Sequence, residues 1–273
     1  MGGSMGGSGI VNIFSNDETA SKQARKRLKA KLEAAGFSVP ADFDPAAELI
    51  VCVGGDGSLL NTLALLGFPE IPIIGVNTGH LGFFQELRPG DMDEFIFRYK
   101  EGQYLIQSLK TVSGEIVRDE GEPSFVKGLN EIVIRGARST VARLNIFMGD
   151  SFIETFRGDG ILVSTPAGST AYNYALGGSI VDPRLDLIQV TPMAPVNNSA
   201  YRSFASSVLL PPHMSLNVLP EYGREKNMLI VADGVEHNYS GVRRIHIELS
   251  ENTVKLLRFA NYDFWNKVKE KLL

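Results

Sequence analysis

From Ile10 the chain alternates short apolar runs with stretches of helical period. "IVNIF" reads as a strand and "SND" supplies capping residues for a helix beginning near Glu18. Ala20, Ala24, Leu28, Leu32 and Ala35 then recur at three- and four-residue intervals, with Gly36 as a stop. The intervening Arg25, Lys26, Arg27, Lys29 and Lys31 form the solvated face of that helix. "LIVCV" at 49–53 predicts a second strand, a glycine turn follows, a helix covers about Ser58 to Leu66, and "IPIIGV" gives a third strand. Strands alternating with helices predict a parallel sheet covered by helices. "DEFIFRYKEG" adds a helix ending near Gly102.

Past that helix the period changes. "YLIQSLKTVSGEIVRD", "FVKGLNEIVIRG", "VARLNIFMGDSFIETF", "GILVST", "NMLIVADGVEH" and "RRIHIELS" are short β-rich runs separated by Gly, Asp, Asn and Pro turns. The closing "VKLLRFANYDFWNKVKEKLL" starts as a strand and ends as an amphipathic helix, with Phe264, Trp265, Val268 and Leu272 expected on one face. The predicted class is α/β plus mostly β. A Rossmann-like parallel domain spans 10–103, a β-rich, sandwich-like domain 104–250, and a tail over 251–273 returns to the first domain. The start, "MGGSMGGSG", has neither a basic n-region nor an apolar core and reads as an added flexible leader over residues 1–9.

Composition narrows the function classes. A net charge of -4 in 273 residues gives no basic surplus for a general nucleic-acid or anionic-membrane binder, so an anionic ligand needs a local site. No apolar run approaches the roughly 18 residues of a membrane span, which leads us to expect a cytoplasmic protein. The single cysteine, Cys52, lies inside an apolar run and has no internal disulfide partner, so it reads as a small buried hydrophobe. His80, His213, His237 and His246 show no metal-ligand spacing.

Two clusters carry chemistry. In Gly54-Gly55-Asp56-Gly57, the glycines admit close approach of a ligand, and the following helix start offers free N–H groups to a phosphate. Neither a Walker A ending nor the third glycine of a dinucleotide fingerprint is present. Asp56 would repel a phosphate unless it meets a hydroxyl or a metal ion. A carboxylate there suits phosphoryl transfer, where it orients and deprotonates the attacking hydroxyl; the alternative is a helix N-cap. The second cluster, "FRGDGILVSTPAGSTAYNYALGGSIVDP" at 156–183, crowds small hydroxyl residues and free N–H groups around a tight turn, with Tyr172 available to lie on a base. Taken alone it says polar ligand site.

Together these stretches resemble bacterial NAD kinases, members of the ATP-NAD kinase family. The resemblance rests on "GGDGS" at 54–58, "NTGHLGF" at 77–83, "NE" at 130–131, "RGDG" at 157–160 and "TPAGSTAYN" at 165–173, in that order and spacing from about Ile10 to about Trp265. It implies transfer of the ATP γ-phosphoryl group, or that of another donor, to the 2'-hydroxyl of the adenosine ribose of NAD. Mg²⁺ or another divalent cation would accompany ATP. By the same resemblance Asp56 is the general base and Gly57 lies at the dinucleotide. Phe83 borders its pocket or serves as ordinary core, and Asn130 and Glu131 hold ribose and amide groups. Arg157 and Asp159 lie at the dinucleotide, and Thr170, Ala171, Tyr172 and Asn173 make its adenine and ribose contacts. The family's β domains form homo-oligomers, dimers or tetramers, which makes Ala194 and Tyr201 of "MAPVNNSAYRSF" candidates to complete a neighbour's pocket; Tyr201 could equally be an interface aromatic. Ser58 stands where Thr is usual, Ala167 where Ser is common, and "ADG" at 232–234 where relatives vary. A lipid or sphingoid-base kinase sharing the glycine-Asp turn and a non-catalytic NAD(P) sensor remain as alternatives.

Overall fold

The computed structural model describes residues 9–79, 82–137, 140–199, 201–221 and 227–272; His80, Leu81 and Ala200 of the quoted motifs, and most of the leader, lie outside the described residues. The chain divides into two units: the chain up to Ser108 with the segment from Val254 onward, and Leu109–Thr253.

The first unit contains β1 (Val11–Ser15), α1 (Thr19–Ala34), β2 (Leu49–Val53), α2 (Asp56–Leu65), β3 (Ile73–Val76), β4 (Gln85–Leu87) and α3 (Met92–Lys100). β1, β2 and β3 pair in parallel, with Val11 opposite Leu49 and Ile50 opposite Ile73. All five residues of β2 are buried, which is why its sequence is continuously apolar rather than alternating. Leu28 and Leu32 of α1 and Met92 and Phe95 of α3 close the core over Val51, Val53 and Ile74. Each such buried side chain is worth about 1.5–3 kcal/mol relative to exposure.

β5 (Leu105–Arg118) leads into the second unit, followed by β6 (Ser124–Gly128), β7 (Glu131–Gly136), β8 (Ala142–Met148), β9 (Ser151–Gly158) and β10 (Gly160–Ser164). A 3₁₀ turn over Ala167–Thr170 and a one-turn helix, α4 (Tyr172–Ala175), come next. Then come β11 (Ile188–Met193), β12 (Val208–Leu210), β13 (Leu216–Pro220), β14 (Met228–Ala232) and β15 (Val235–Tyr239). One antiparallel sheet has the order β12-β11-β10-β7-β14-β15. The other joins β13, β8 and β9 to β16 (Val242–Arg258), with β5 and β6 beside β16. Ile132, Ile134, Ile161 and Val163 from the first sheet share one core with Leu144, Ile146, Leu216 and Ile247 from the second, making a sandwich.

β16 runs on into the first unit, where Leu256 pairs in parallel with Ile73, and the tail ends in α5 (Phe264–Leu272). Phe264 and Val268 are buried, whereas Trp265, expected on the same face, is 49% exposed. One residue turns a helix by about 100°, so Trp265 rotates out and meets Phe264 edge-on at 5.2 Å. The second helix also starts two residues before the expected Ser58, which places Asp56 inside its first turn.

Candidate functional site

In the first unit the site is built around the end of β2. Gly55, in extended conformation, caps α2, and no side chain bonds to the cap. Asp56 is therefore not an N-cap. Its carboxylate reaches out of its own helix instead: Oδ2 accepts the Phe83 backbone N–H at 2.6 Å and Oδ1 accepts that of Phe84 at 3.1 Å. Gly82 makes this possible, because a Cβ there would land on Asp56 Oδ1. Two fixed N–H donors orient a carboxylate while leaving further lone pairs for a substrate hydroxyl. Asp56 is half-buried and Gly57 exposed at the N-terminal end of α2, where the helix dipole favours a phosphate.

The Gly82–Gln85 segment is itself held from behind. Arg258, 3% exposed, donates from Nη1 to Phe84 O at 3.2 Å and to Glu86 at 3.0 Å, and from Nη2 to Phe83 O at 3.3 Å. Lys267 of α5 donates to Phe83 O at 3.3 Å and to Gln85 O at 2.6 Å. Phe83 packs its ring against Phe264 at 6.1 Å, with the Lys271 ammonium 5.4 Å from the Phe83 ring centre. Burial, aided by the Arg258 charge, pulls the Lys267 ammonium down to about 8. Cys52 is fully buried, and burial pushes its thiol up to about 11, so it stays a protonated core residue.

In the second unit, Asn130 and Glu131 open β7 beside the small-residue turn. Thr165 donates its N–H to Asn130 O at 2.9 Å and its hydroxyl to Leu129 O at 2.6 Å, and accepts the Gly168 N–H at 3.1 Å. Gly168 has to be glycine for this approach, since a Cβ would collide with the Asn130 backbone. Asp233, at φ 46, accepts the N–H groups of Leu129 at 2.6 Å, Asn130 at 2.8 Å and Glu131 at 3.1 Å. Burial first, and then the Asp233 charge, pushes Glu131 up to about 8. Asn130 Oδ1 and Glu131 Oε2 are buried with no hydrogen-bond partner among the described residues. Buried polar atoms are almost always paired, so two together mark a place for a polar ligand.

Beyond the turn, Thr170 and Ala171 are half-buried and Tyr172 is 41% exposed. Asn173 differs from them in being fully buried. Its amide donates to Ser169 O at 3.3 Å and Ser179 O at 3.4 Å, and its Oδ1 accepts the Thr191 hydroxyl at 2.6 Å, so the side chain holds the turn together.

Arg157, Asp159, Ala194 and Tyr201 form a separate group. The Arg157 guanidinium lies 3.6 Å from the centre of the Tyr201 ring and 3.8 Å from the Glu221 carboxylate. Asp159 donates its N–H to Met193 O at 2.9 Å beside Ala194, which sits at φ 44. β10 links the groups: its Ser164 end pairs with Glu131 and its Gly160 end with Arg135 and Met193. Four strand residues separate those ends by about 13 Å. The sequence alone assigns no role to Gly82, Asp233, Arg258 or Lys267. Asp233 was visible only as the "ADG" departure, and Lys267 only as a polar position in an amphipathic tail. His237 stacks on Tyr239 and His246 pairs with Asn217, and among the described residues no group of His, Cys, Asp and Glu could hold a metal ion.

The two units thus combine an α/β fold offering a phosphate-ready helix start and a sandwich carrying a small-residue turn, a nucleotide-handling class. Models of the ATP-NAD kinase N-terminal and C-terminal domains match residues 11–104 and 129–259. An NAD kinase of Finegoldia magna is 36% identical over 97% of this chain and 98% of its own length; one of Latilactobacillus sakei is 31% identical over 96% and 97%. The chain belongs to the ATP-NAD kinase family. Its fold is also that of a yeast NADH kinase solved with NADH (TM-score 0.81, 20% identity, 96% of this chain and 87% of that one). An Archaeoglobus fulgidus NAD kinase solved with ATP shares it too (TM-score 0.75, 23% identity, 96% and 98%).

Proposed function

We propose that this enzyme transfers the γ-phosphoryl group of ATP to the 2'-hydroxyl of the adenosine ribose of NAD, giving NADP, with Asp56 as the general base. The observation that carries this reading is the Asp56 carboxylate, held by two backbone N–H groups at the start of a helix whose own N–H groups suit a phosphate. Asp56 accepts the hydroxyl proton as the oxygen attacks the γ-phosphorus in line and the bond from that phosphorus to the bridging oxygen breaks, releasing ADP. Gly57 lies at the dinucleotide and Phe83 borders its pocket. Asn130 and Glu131 hold ribose and amide groups with their unpaired atoms, and Glu131, neutral at pH 7, offers a proton as donor. Thr170, Ala171 and Tyr172 make adenine and ribose contacts, with Asn173 shaping the turn that presents them.

A divalent cation such as Mg²⁺ would be held by the donor phosphates together with Asp56, the carboxylate of this turn, and would supply neutralisation of the phosphate charge. Arg157 and Asp159 contact the dinucleotide. Ala194 and the exposed Tyr201 reach a partner's pocket in a homo-oligomer, dimer or tetramer, assembled through the sandwich. The exposed Phe152 and Ile153 on β9, at one end of its sheet, support such an assembly. Among the described residues no helix is long and apolar enough to cross a membrane. A single buried free thiol and freely diffusing substrates support work in the cytoplasm. The lipid-kinase and sensor readings find no comparable support, since both family domains match NAD kinases.

The test is purified protein with NAD, ATP and Mg²⁺, scored for NADP and repeated with polyphosphate and with NADH. Absence of NADP under every donor overturns the proposal. Asp56→Asn is expected to lower turnover by about 10²–10⁴-fold while NAD binding, followed by calorimetry, is retained.

A further inference from the structure

The segment that orients Asp56 is supported by α5 and by Arg258 of β16, and one of its peptide units is held at both ends. The peptide joining Phe83 to Phe84 offers its N–H to Asp56 Oδ1 at 3.1 Å. Its carbonyl, Phe83 O, accepts from both the Lys267 ammonium and the Arg258 guanidinium, each at 3.3 Å. A cation on a peptide oxygen draws electron density toward itself and strengthens the N–H donor at the other end of the same amide. Lys267 also fixes Gln85 O at 2.6 Å, and Arg258 fixes Phe84 O at 3.2 Å, so three successive carbonyls of this segment are tied down from the side opposite Asp56.

We propose that Lys267 is a positioning residue for phosphoryl transfer, acting with Arg258 through the Phe83–Phe84 peptide to hold the Asp56 carboxylate in its reactive orientation. The inference rests on the reading of Asp56 as the base. Arg258 also has a plain structural part, since it pairs with Glu86 at 3.0 Å and with Gln107 at 2.9 Å while buried. Lys267 has no ion-pair partner within salt-bridge distance among the described residues: its contacts are the two carbonyls and the face of Tyr262 at 5.0 Å. A mostly buried ammonium facing carbonyls gives up hydration that a methionine would not have to give up, and its depressed titration is the mark of that cost. Placing a charge there makes sense when the charge does something to what the carbonyls are attached to. Lys271 lies on the same helix beside the Phe83 ring and also senses the Asp56 charge, but no hydrogen bond ties it to the segment among the described residues.

The experiment compares Lys267→Met, Lys267→Arg, Gly82→Ala and Asp56→Asn in the full chain, measuring kcat, KM for NAD, NAD affinity and Tm. Lys267→Met is expected to keep the fold and NAD affinity within about twofold while kcat falls by about 10–100-fold, the scale of a base displaced by a fraction of an ångström to an ångström. Lys267→Arg, which keeps charge and donors, is expected to recover most of the loss. Gly82→Ala, which forces Asp56 to move, is expected to show the same split between kcat and KM and gives an independent reading should Lys267→Met fold poorly. An unchanged kcat in Lys267→Met, or a fall in kcat matched by equal losses of NAD affinity and Tm, overturns the inference. If Asp56→Asn turns over like the parent, the reading of Asp56 as base fails first, and the two failures are thereby told apart.

Discussion

At the scale of single residues, the two acidic groups that matter are placed in opposite ways. Asp56 is half-buried with a donor on each oxygen, whereas Glu131 is buried with one oxygen unpartnered and a second carboxylate, Asp233, close by. Burial raises the titration of Asp233, opposed by the three backbone N–H groups it accepts, whereas Glu131, with burial and the Asp233 carboxylate both acting against its charge, keeps the proton. The consequence is a pH dependence with a definite sign. Glu131 titrates near 8 when folded against an ordinary 4.5, so the folded state binds the extra proton between those values. Stability conferred by this group is complete below the ordinary value and lost as pH rises through about 8, with a slope of at most roughly 1.4 kcal/mol per pH unit. Glu131→Gln is expected to flatten that slope in denaturant titrations run between pH 5 and 8. A variant as steep as the parent counts against the placement of the proton on Glu131.

At the scale of elements, the turn after β10 is a scaffold whose outer residues are free because an inner one is fully engaged. Removing the Asn173 amide strands the Thr191 hydroxyl and takes one donor from each of the Ser169 and Ser179 carbonyls, the latter keeping that of Gln189. Asn173→Ala is accordingly expected to cost about 1–3 kcal/mol in urea unfolding and to raise KM for NAD more than it lowers kcat. Many of the helices and strands were legible in the sequence, because β2 is an unbroken apolar run and α1 keeps a four-residue spacing of Ala24, Leu28 and Leu32; β4, β11, β12 and β13 were not among the runs it predicted. The motifs at Asp56, Asn130 and Thr165 were legible as stretches of chain. The partners that fix them were not: Asp233 lies 103 positions from Asn130, and Lys267 lies 184 from Phe83, and no local period carries such a pairing. The start of α2 was misplaced for a related reason. Glycine and aspartate usually signal a cap, yet here the carboxylate's hydrogen bonds go to a distant loop, which lets the helix begin at Asp56 itself.

At the scale of the whole molecule, the proposal of an oligomer built through the sandwich belongs to light scattering. The parent is expected to run as a dimer or tetramer, and a Phe152→Asp, Ile153→Asp double variant to shift toward monomer with loss of NADP formation. A monomeric parent with full activity would remove Ala194 and Tyr201 from any neighbour's pocket. The support of the Asp56 loop by α5 bears as well on when, during its making, the chain can first act. The ribosome delivers Asp56 and Phe83 early, but Lys267 leaves it 184 residues after Phe83. On the proposal above, a nascent chain lacks this support for its base until Lys267 has emerged, so synthesis delivers the carboxylate well before the residue that positions it.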